Sequence, residues 1–330
     1  MTGPLLDVRN LSVHLPSPRG DLAAVESVSF SVGYQEVVGI AGESGSGKTL
    51  SVLALLGLLP AGGIARGRAS FHERDLLRLR ARELRDVRGK EIAVVFQDPM
   101  NSLHPMLTIE RQLTEHQLVH RSVTKAAARA RALELLDVVR IPDPHAALGR
   151  YPHQFSGGMR QRVAIAMALA CSPELLIADE PTTALDVTVQ AGILRLLDRL
   201  RREESLSVVL ITHDLSVLSS IADRLYVFYS GRVVESGPTS TVLASPRHPY
   251  TQGLLDALPR SRNSQRSLTP IGGAPPELGA RETGCAFHPR CRYAQPLCAT
   301  DLPPLIDIGD GRNLACPPDP MLVKEAREAI

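Results

Sequence analysis

The 330-residue chain lacks several features that would have assigned it to a class at once. Its longest apolar run, "LSVLALLGLLP" at 50–60, is too short to cross a hydrocarbon core, and no charged-then-apolar leader opens the sequence. The expectation is a soluble or peripheral protein on the cytoplasmic side. Charge of one sign is missing too: 37 basic against 35 acidic residues leave a formal +2, so nothing marks the chain as a binder of nucleic acid or anionic lipid. Lysine is scarce, with arginine supplying 33 of the 37 basic residues, a bias that base composition explains better than function. Cysteine is scarce as well, five in all, and 44% hydrophobic content over this length builds a core without covalent staples. No internal repeat is visible.

What is present is alternation. "LLDVRNLSV" and "SVSFSV" have the period-2 pattern of half-buried strands, with Val28, Phe30 and Val32 on one face and serines on the other. "EVVGIAG" is a continuous apolar run of the length of a fully buried strand, and "EIAVVFQ", "ELLIAD", "LSVVLIT" and "RLYVFYS" read as further strands. Helical patterns lie between them, clearest where Ile193, Leu196, Leu197 and Leu200 keep i, i+3, i+4, i+7 spacing. Strands alternating with helices predict an α/β core with a mainly parallel sheet. Residues from about 100 to 165 are helix-rich and read as a helical subdomain inserted into that core. After residue 238 come 13 of the 25 prolines, which predicts a small loop-rich extension over 239–330.

The predicted strand "EVVGIAG" runs into "GESGSGKT" and then into an apolar helical pattern. This is G-x-x-x-x-G-K-[ST] in its strand, loop, helix setting. Glycines let backbone N–H groups close on phosphate oxygens, and the helix N-terminus adds partial positive charge. Gly42, Ser44, Gly45, Ser46, Gly47, Lys48 and Thr49 are therefore the candidate phosphate-binding residues, with Lys48 on the β and γ phosphates and the Thr49 hydroxyl on Mg²⁺. "ELLIADEP" ends an apolar strand on two carboxylates; Asp179 is assigned to the magnesium sphere and Glu180 to general base. "FSGGMRQR" opens a helix with Ser156 at the N-cap position and Gly157 and Gly158 exposing backbone, a second anion-binding terminus.

In this order the motifs resemble the ATP-binding cassette family over roughly residues 5–238. "GESGSGKT" resembles its Walker A, "VVFQDP" with Gln97 its Q-loop, "FSGGMRQR" its signature, "LLIADEP" its Walker B, "TALD" with Asp186 its D-loop and "ITHD" with His213 its switch histidine. Phe155 and Met159 depart from the commonest signature, LSGGQ, and His14 and Leu15 stand where members place an aromatic on adenine. The resemblance implies a P-loop ATPase in which two cassettes sandwich two ATPs, each between Walker A of one subunit and Ser156, Gly157 and Gly158 of the other. It further implies that Gln97 touches magnesium and reports the nucleotide state, and that His213 holds the γ-phosphate.

The cassette alone leaves open a permease's ATPase subunit and a soluble ATPase acting on nucleic acid or protein. "SPRHPYTQGLLDALPR", "PIGGAPPEL" and "GCAFHPRCRYAQPLC" resemble the C-terminal extension of oligopeptide and dipeptide importer ATPases, a family with relatives for nickel and other small solutes. That implies a heterodimer with a sister ATPase, two permease subunits received near "DPMNSLHP", an extracytoplasmic solute-binding protein, and no nucleic acid. Cys285, Cys291, Cys298 and Cys316 are spaced by five, six and seventeen residues, which fits neither a ferredoxin run nor a zinc ribbon. From the residues, a [4Fe-4S] cluster, tetrahedral zinc and four reduced thiols all stay open. Some members of the resembled subfamily carry an iron-sulfur cluster on this cysteine set, so the resemblance implies a [4Fe-4S] cluster stapling the extension. Cys171 reads as a small buried apolar residue.

Overall fold

The computed structural model describes residues 3–18, 20–97, 102–183, 185–258, 270–279 and 283–316. In chain order the strands are β1 (Leu6–Leu15), β2 (Leu22–Val32), β3 (Val37–Ala41), β4 (Ile64–Phe71), β5 (Arg74–Asp75) and β6 (Ile92–Val95). They continue with β7 (Leu175–Asp179), β8 (Ser207–Thr212), β9 (Arg224–Tyr229), β10 (Arg232–Pro238), β11 (Ile306–Gly309) and β12 (Arg312–Leu314). Two compact units result: Met1–Ser31, Val38–Leu77 and Thr212–Ile330 form one, Val32–Val37 and Arg78–Ile211 the other.

The first unit holds two sheets. One has the order β2-β1-β4-β5, with β1 and β4 antiparallel from Leu6 opposite Phe71 to His14 opposite Ile64. As the alternating pattern predicts, Val28, Phe30 and Val32 of β2 are buried and Ser27 is exposed. In the other sheet β3, buried at every position, lies parallel to β9. β9 turns back into β10 through Ser230 and Gly231, both at positive φ, the two-residue geometry that matches strand twist. β10 then pairs with β12 and β12 with β11. Among the described residues after 238, a hairpin extends this sheet, which the sequence does not predict. Only three residues of β12 take part, too few for a period-2 signal, and "RVVESGP" of β10 carries a glycine, a proline and a buried glutamate.

The second unit is built on β6, β7 and β8, parallel and in register from Leu175 opposite Ser207 to Asp179 opposite Ile211. Between β6 and β7 come the helices Ile109–His120, Lys125–Val138, Pro144–Leu148 and Gly157–Ala168. Each starts on an oxygen side chain: Thr108, Thr124, Asp143 and Ser156 accept from the N–H groups of Arg111, Ala127, Ala146 and Met159. The C-terminal carbonyls of Lys125–Val138 are capped by arginines, Arg199 on Val138 and Arg162 Nη1 on Val139 at 2.7 Å. The helix Val187–Glu203 buries Ile193, Leu196, Leu197 and Leu200, the stripe predicted from its spacing. Cys171 is buried; burial pushes its thiol up, and its Sγ lies 3.5 Å from the His116 carbonyl. Among the described residues no helix is long and apolar enough to cross a membrane. Residues 98–101 of "DPMNSLHP" lie outside the described residues.

Candidate functional site

The phosphate-type loop leaves the end of β3 and closes on the helix Lys48–Leu55. Gly42 has φ 149°, and a Cβ there would stand 2.3 Å from the Phe228 carbonyl oxygen, so only glycine fits. Gly45 and Gly47 also have positive φ, and Gly47 occupies the N-cap with no side chain capping the helix amides. Ser44 and Gly45 are exposed, whereas Ser46 and Gly47 are buried and the Gly231 N–H donates to the Ser46 carbonyl at 2.9 Å. Lys48 is 6% exposed, and its ammonium donates to the carbonyls of Gly42 at 2.7 Å and Glu43 at 2.8 Å. A helix start whose N-cap is a glycine, together with a buried ammonium, forms a cradle suited to a chain of phosphates. Thr49 follows in the first helical turn, half-buried. His213, also in this unit, is exposed just past β8, where Asp214 caps the helix Leu215–Ser219 by accepting from the Ser216 N–H at 2.8 Å.

The second unit carries the carboxylates. Asp179 ends β7 and is 5% exposed. Glu180 turns out of the strand with a left-handed φ of 46°, a conformation that costs a non-glycine residue ~1 kcal/mol or more. Its N–H is held by the Ile211 carbonyl at 2.8 Å. Its Oε2 accepts from Gln97 Nε2 at 3.2 Å and from the Thr183 hydroxyl at 2.7 Å. Gln97 and Glu180, 83 positions apart, are thus brought together, and Thr183 joins them; the sequence indicates neither contact.

The signature is on the same unit. Ser156 and Gly157 are exposed, and Ser156 Oγ caps its helix by accepting from Met159 N–H at 3.3 Å. A Cβ on Gly158 would come 2.5 Å from Val189 Cγ1, and one on Gly157 would lie 3.8 Å from Leu185. The second glycine is therefore required by close packing against the start of Val187–Glu203. Asp186, the N-cap of that helix, accepts from Val189 N–H at 3.0 Å, so the D-loop and the signature pack together.

The expected metal centre is corrected by the structure. Cys285, Cys291, Cys298 and Cys316 line a cavity of about 200 Å³ together with His248, Phe287 and Leu302. Among the described residues no group of three or more His, Cys, Asp or Glu side chains could hold a metal ion, so neither the [4Fe-4S] cluster nor the zinc is supported. Burial pushes the Cys285 thiol up, opposed by the Phe287 N–H and reinforced by the neighbouring Cys298. Burial likewise raises Cys291, with Cys285 and Cys298 adding to it. The extension is fastened by other means: β12 against β10, a buried Arg312–Glu235 ion pair at 2.7 Å, and Phe287 packed among Tyr229, Tyr250 and His248. Sequence reasoning also missed Glu43, Tyr250 and Arg290, which meet at the phosphate loop. A glutamate inside a P-loop was visible, but nothing separated Arg290 from the other arginines.

Comparison with known proteins places these features in context. A family model described as "ABC transporter" matches residues 25–183, and one described as "Oligopeptide/dipeptide transporter, C-terminal region" matches residues 234–298. The chain is 46% identical over 312 residues to the oligopeptide transport ATP-binding protein OppD of Escherichia coli (strain K12), covering 94% of this chain and 92% of that one. It is 47% identical over 313 residues to the dipeptide transport ATP-binding protein DppD of the same organism, covering 94% and 96%. Among solved structures, the dimer of a bacterial ABC transporter cassette matches with a TM-score of 0.64 at 29% identity, covering 71% of this chain and 98% of that one. A post-hydrolysis dimer of an ATP-binding cassette bound to ADP and Pi matches equally well, with the same TM-score, identity and coverage.

Proposed function

The chain belongs to the ABC transporter ATPase family, and from that premise we propose that it is the ATP-hydrolysing subunit that powers import of di- or oligopeptides through a membrane permease. The observation that carries the enzymatic part is the loop at Gly42–Thr49, where a buried Lys48 ammonium adjoins the glycine-capped start of a helix. ATP bound there supplies a γ-phosphoryl group whose transfer to water releases the free energy used for transport. Lys48 neutralises phosphate charge as it develops. Glu180 is the base that takes a proton from the attacking water, its carboxylate held by hydrogen bonds from Gln97 and Thr183. His213, exposed after β8, supplies a further contact to the γ-phosphate. The oxygen donors named for Mg²⁺, from Thr49, Gln97 and Asp179, are of the hard type that ion takes.

Ser156 and Gly157, exposed at a capped helix start, serve the nucleotide of a second cassette. Asp186, packed beside them, lies at the same face. The partner is a sister ATPase, forming a heterodimer that sits peripherally on the cytoplasmic face beneath two permease subunits, with peptide delivered by an extracytoplasmic solute-binding protein. The family match at residues 234–298 supports the peptide class over other solutes. The test is ATPase activity of the co-expressed complex in membranes. Stimulation by permeases with peptide-loaded binding protein is expected; stimulation by nickel-loaded protein alone, or by polynucleotide without permeases, would replace the peptide assignment.

A further inference from the structure

Glu43, the second residue of "GESGSGKT", has every polar group engaged. Its N–H donates to Tyr250 Oη at 2.8 Å, its carbonyl accepts from Lys48 Nζ at 2.8 Å, and its carboxylate takes both Nη groups of Arg290 at 2.7 and 2.9 Å. Two of those partners stand 207 and 247 positions away, beyond the cassette proper. The Arg290 side chain is only 5% exposed. Its Nε donates to the Gly272 carbonyl at 2.9 Å and its Nη1 to Tyr229 Oη at 3.3 Å, while the guanidinium lies 5.8 and 5.9 Å from the ring centres of Tyr229 and Phe287. Tyr229, Tyr250 and Phe287 pack on one another with centroids 4.6 to 5.3 Å apart. The fork is therefore fixed before it meets Glu43, unlike a surface pair whose side chains must be ordered first.

Resting on the nucleotide reading above, we propose that Arg290 and Tyr250 are positioning residues for the phosphate loop, acting through Glu43, and that they couple the C-terminal extension to ATP binding. Two physical effects produce the coupling. The Glu43 carbonyl is where the Lys48 ammonium rests and where the Ser46 N–H turns at 3.3 Å, so releasing Glu43 moves the groups that form the cradle. The Glu43 carboxylate is also a negative charge inside a polyphosphate site, and Arg290 neutralises it. Without Arg290 the loop would present an anion to an anion. Coupling is reciprocal, so nucleotide must in turn hold the extension.

The test uses full-length protein, a fluorescent ATP analogue for affinity, unliganded thermal unfolding, and hydrogen exchange over residues 285–298. Arg290→Ala is expected to weaken nucleotide binding about tenfold, within the usual range of coupled sites. Glu43→Gln in the Arg290→Ala background should recover most of that loss, because it removes the unmasked charge. Tyr250→Phe keeps the ring cluster and deletes one acceptor; it guards against a fold defect in the arginine variant and should cost about fivefold. Nucleotide should slow exchange at the amides of Cys285, His288 and Arg290 in wild type and not in Arg290→Ala. A structural role alone would lower unfolding temperature without these differences. Affinities of Arg290→Ala and Tyr250→Phe within about twofold of wild type, or a loss that Glu43→Gln does not relieve, overturn the proposal. Failure of the wild-type protein to bind the analogue overturns the nucleotide reading and the coupling with it, whereas normal wild-type binding with unaltered variants overturns the coupling alone.

Discussion

Replacing Arg312 by Met tests what fastens the extension. Glu235 is fully buried, and its carboxylate accepts from Arg312 Nη2 at 2.7 Å, from the Arg247 N–H at 2.9 Å and from the His248 N–H at 3.0 Å. Arg312 also donates to the Ser245 carbonyl at 2.7 Å, and its side chain is 7% exposed. Methionine keeps most of the stem and removes the charge, leaving a buried carboxylate on two backbone donors. Removing one partner of a buried pair costs ~3–5 kcal/mol, and the surviving donors put this case near the lower end, ~3 kcal/mol. Arg312 Nε has no hydrogen-bond partner, which lowers the pair's worth in the same direction. At ~2–4 °C per kcal/mol, the unfolding of this unit should shift down by ~6–12 °C in calorimetry. Combining Arg312→Met with Glu235→Leu removes the stranded charge and should return stability to within ~1 kcal/mol of wild type. A single variant within ~0.5 kcal/mol of wild type would refute the view that this pair joins β12 and its hairpin to β10.

Three further outcomes follow from the geometry. Glu180→Gln preserves both hydrogen-bond partners in size and shape but removes the base, so phosphate release should fall ~10²–10⁴-fold with nucleotide still bound; turnover near wild type would remove Glu180 from that role. Ser156→Ala should lose ~1 kcal/mol of helix capping together with ATPase activity, whereas Ser156→Asp keeps the cap and sets a negative charge where a partner's phosphate would lie. Restored unfolding temperature with ATPase still absent is the expected result for Asp, and restored activity would show that Ser156 is only a cap. His248, which caps Pro249–Asp256 by accepting from the Tyr250 N–H at 3.1 Å, is pushed down by burial to about 3 from 6.5. The unfolded chain therefore binds a proton that the fold refuses, so this stability is complete above pH 6.5 and is lost as pH falls toward 3. His248→Asn, which can keep the cap, should flatten stability between those limits, and an unchanged acid profile would assign the slope to other groups.

The phosphate loop, the carboxylates at the end of β7, the signature helix and the Ile193–Leu200 stripe were legible because each is written in neighbouring residues. A buried strand, a glycine turn and a helix start depend on dihedral preference and on groups a few positions apart. Gln97 meeting Glu180 was not legible, since a run of helices separates them in the chain and only folding brings them together. The four-cysteine cluster shows the opposite case. Its residue types allowed a metal, but whether such side chains converge on one point depends on packing, which spacing does not encode, and among the described residues no such group forms.

The sequence by itself determined an α/β P-loop ATPase and its position in the cassette family, because the motifs that carry both are written in local backbone chemistry. Only the tertiary structure decided that β12 completes a cassette sheet, that Arg312 neutralises Glu235, and that Arg290 and Tyr250 reach Glu43. These contacts join residues up to 247 positions apart, and with 33 arginines of equal intrinsic chemistry, only the packing of the chain selects which one is buried against which carboxylate.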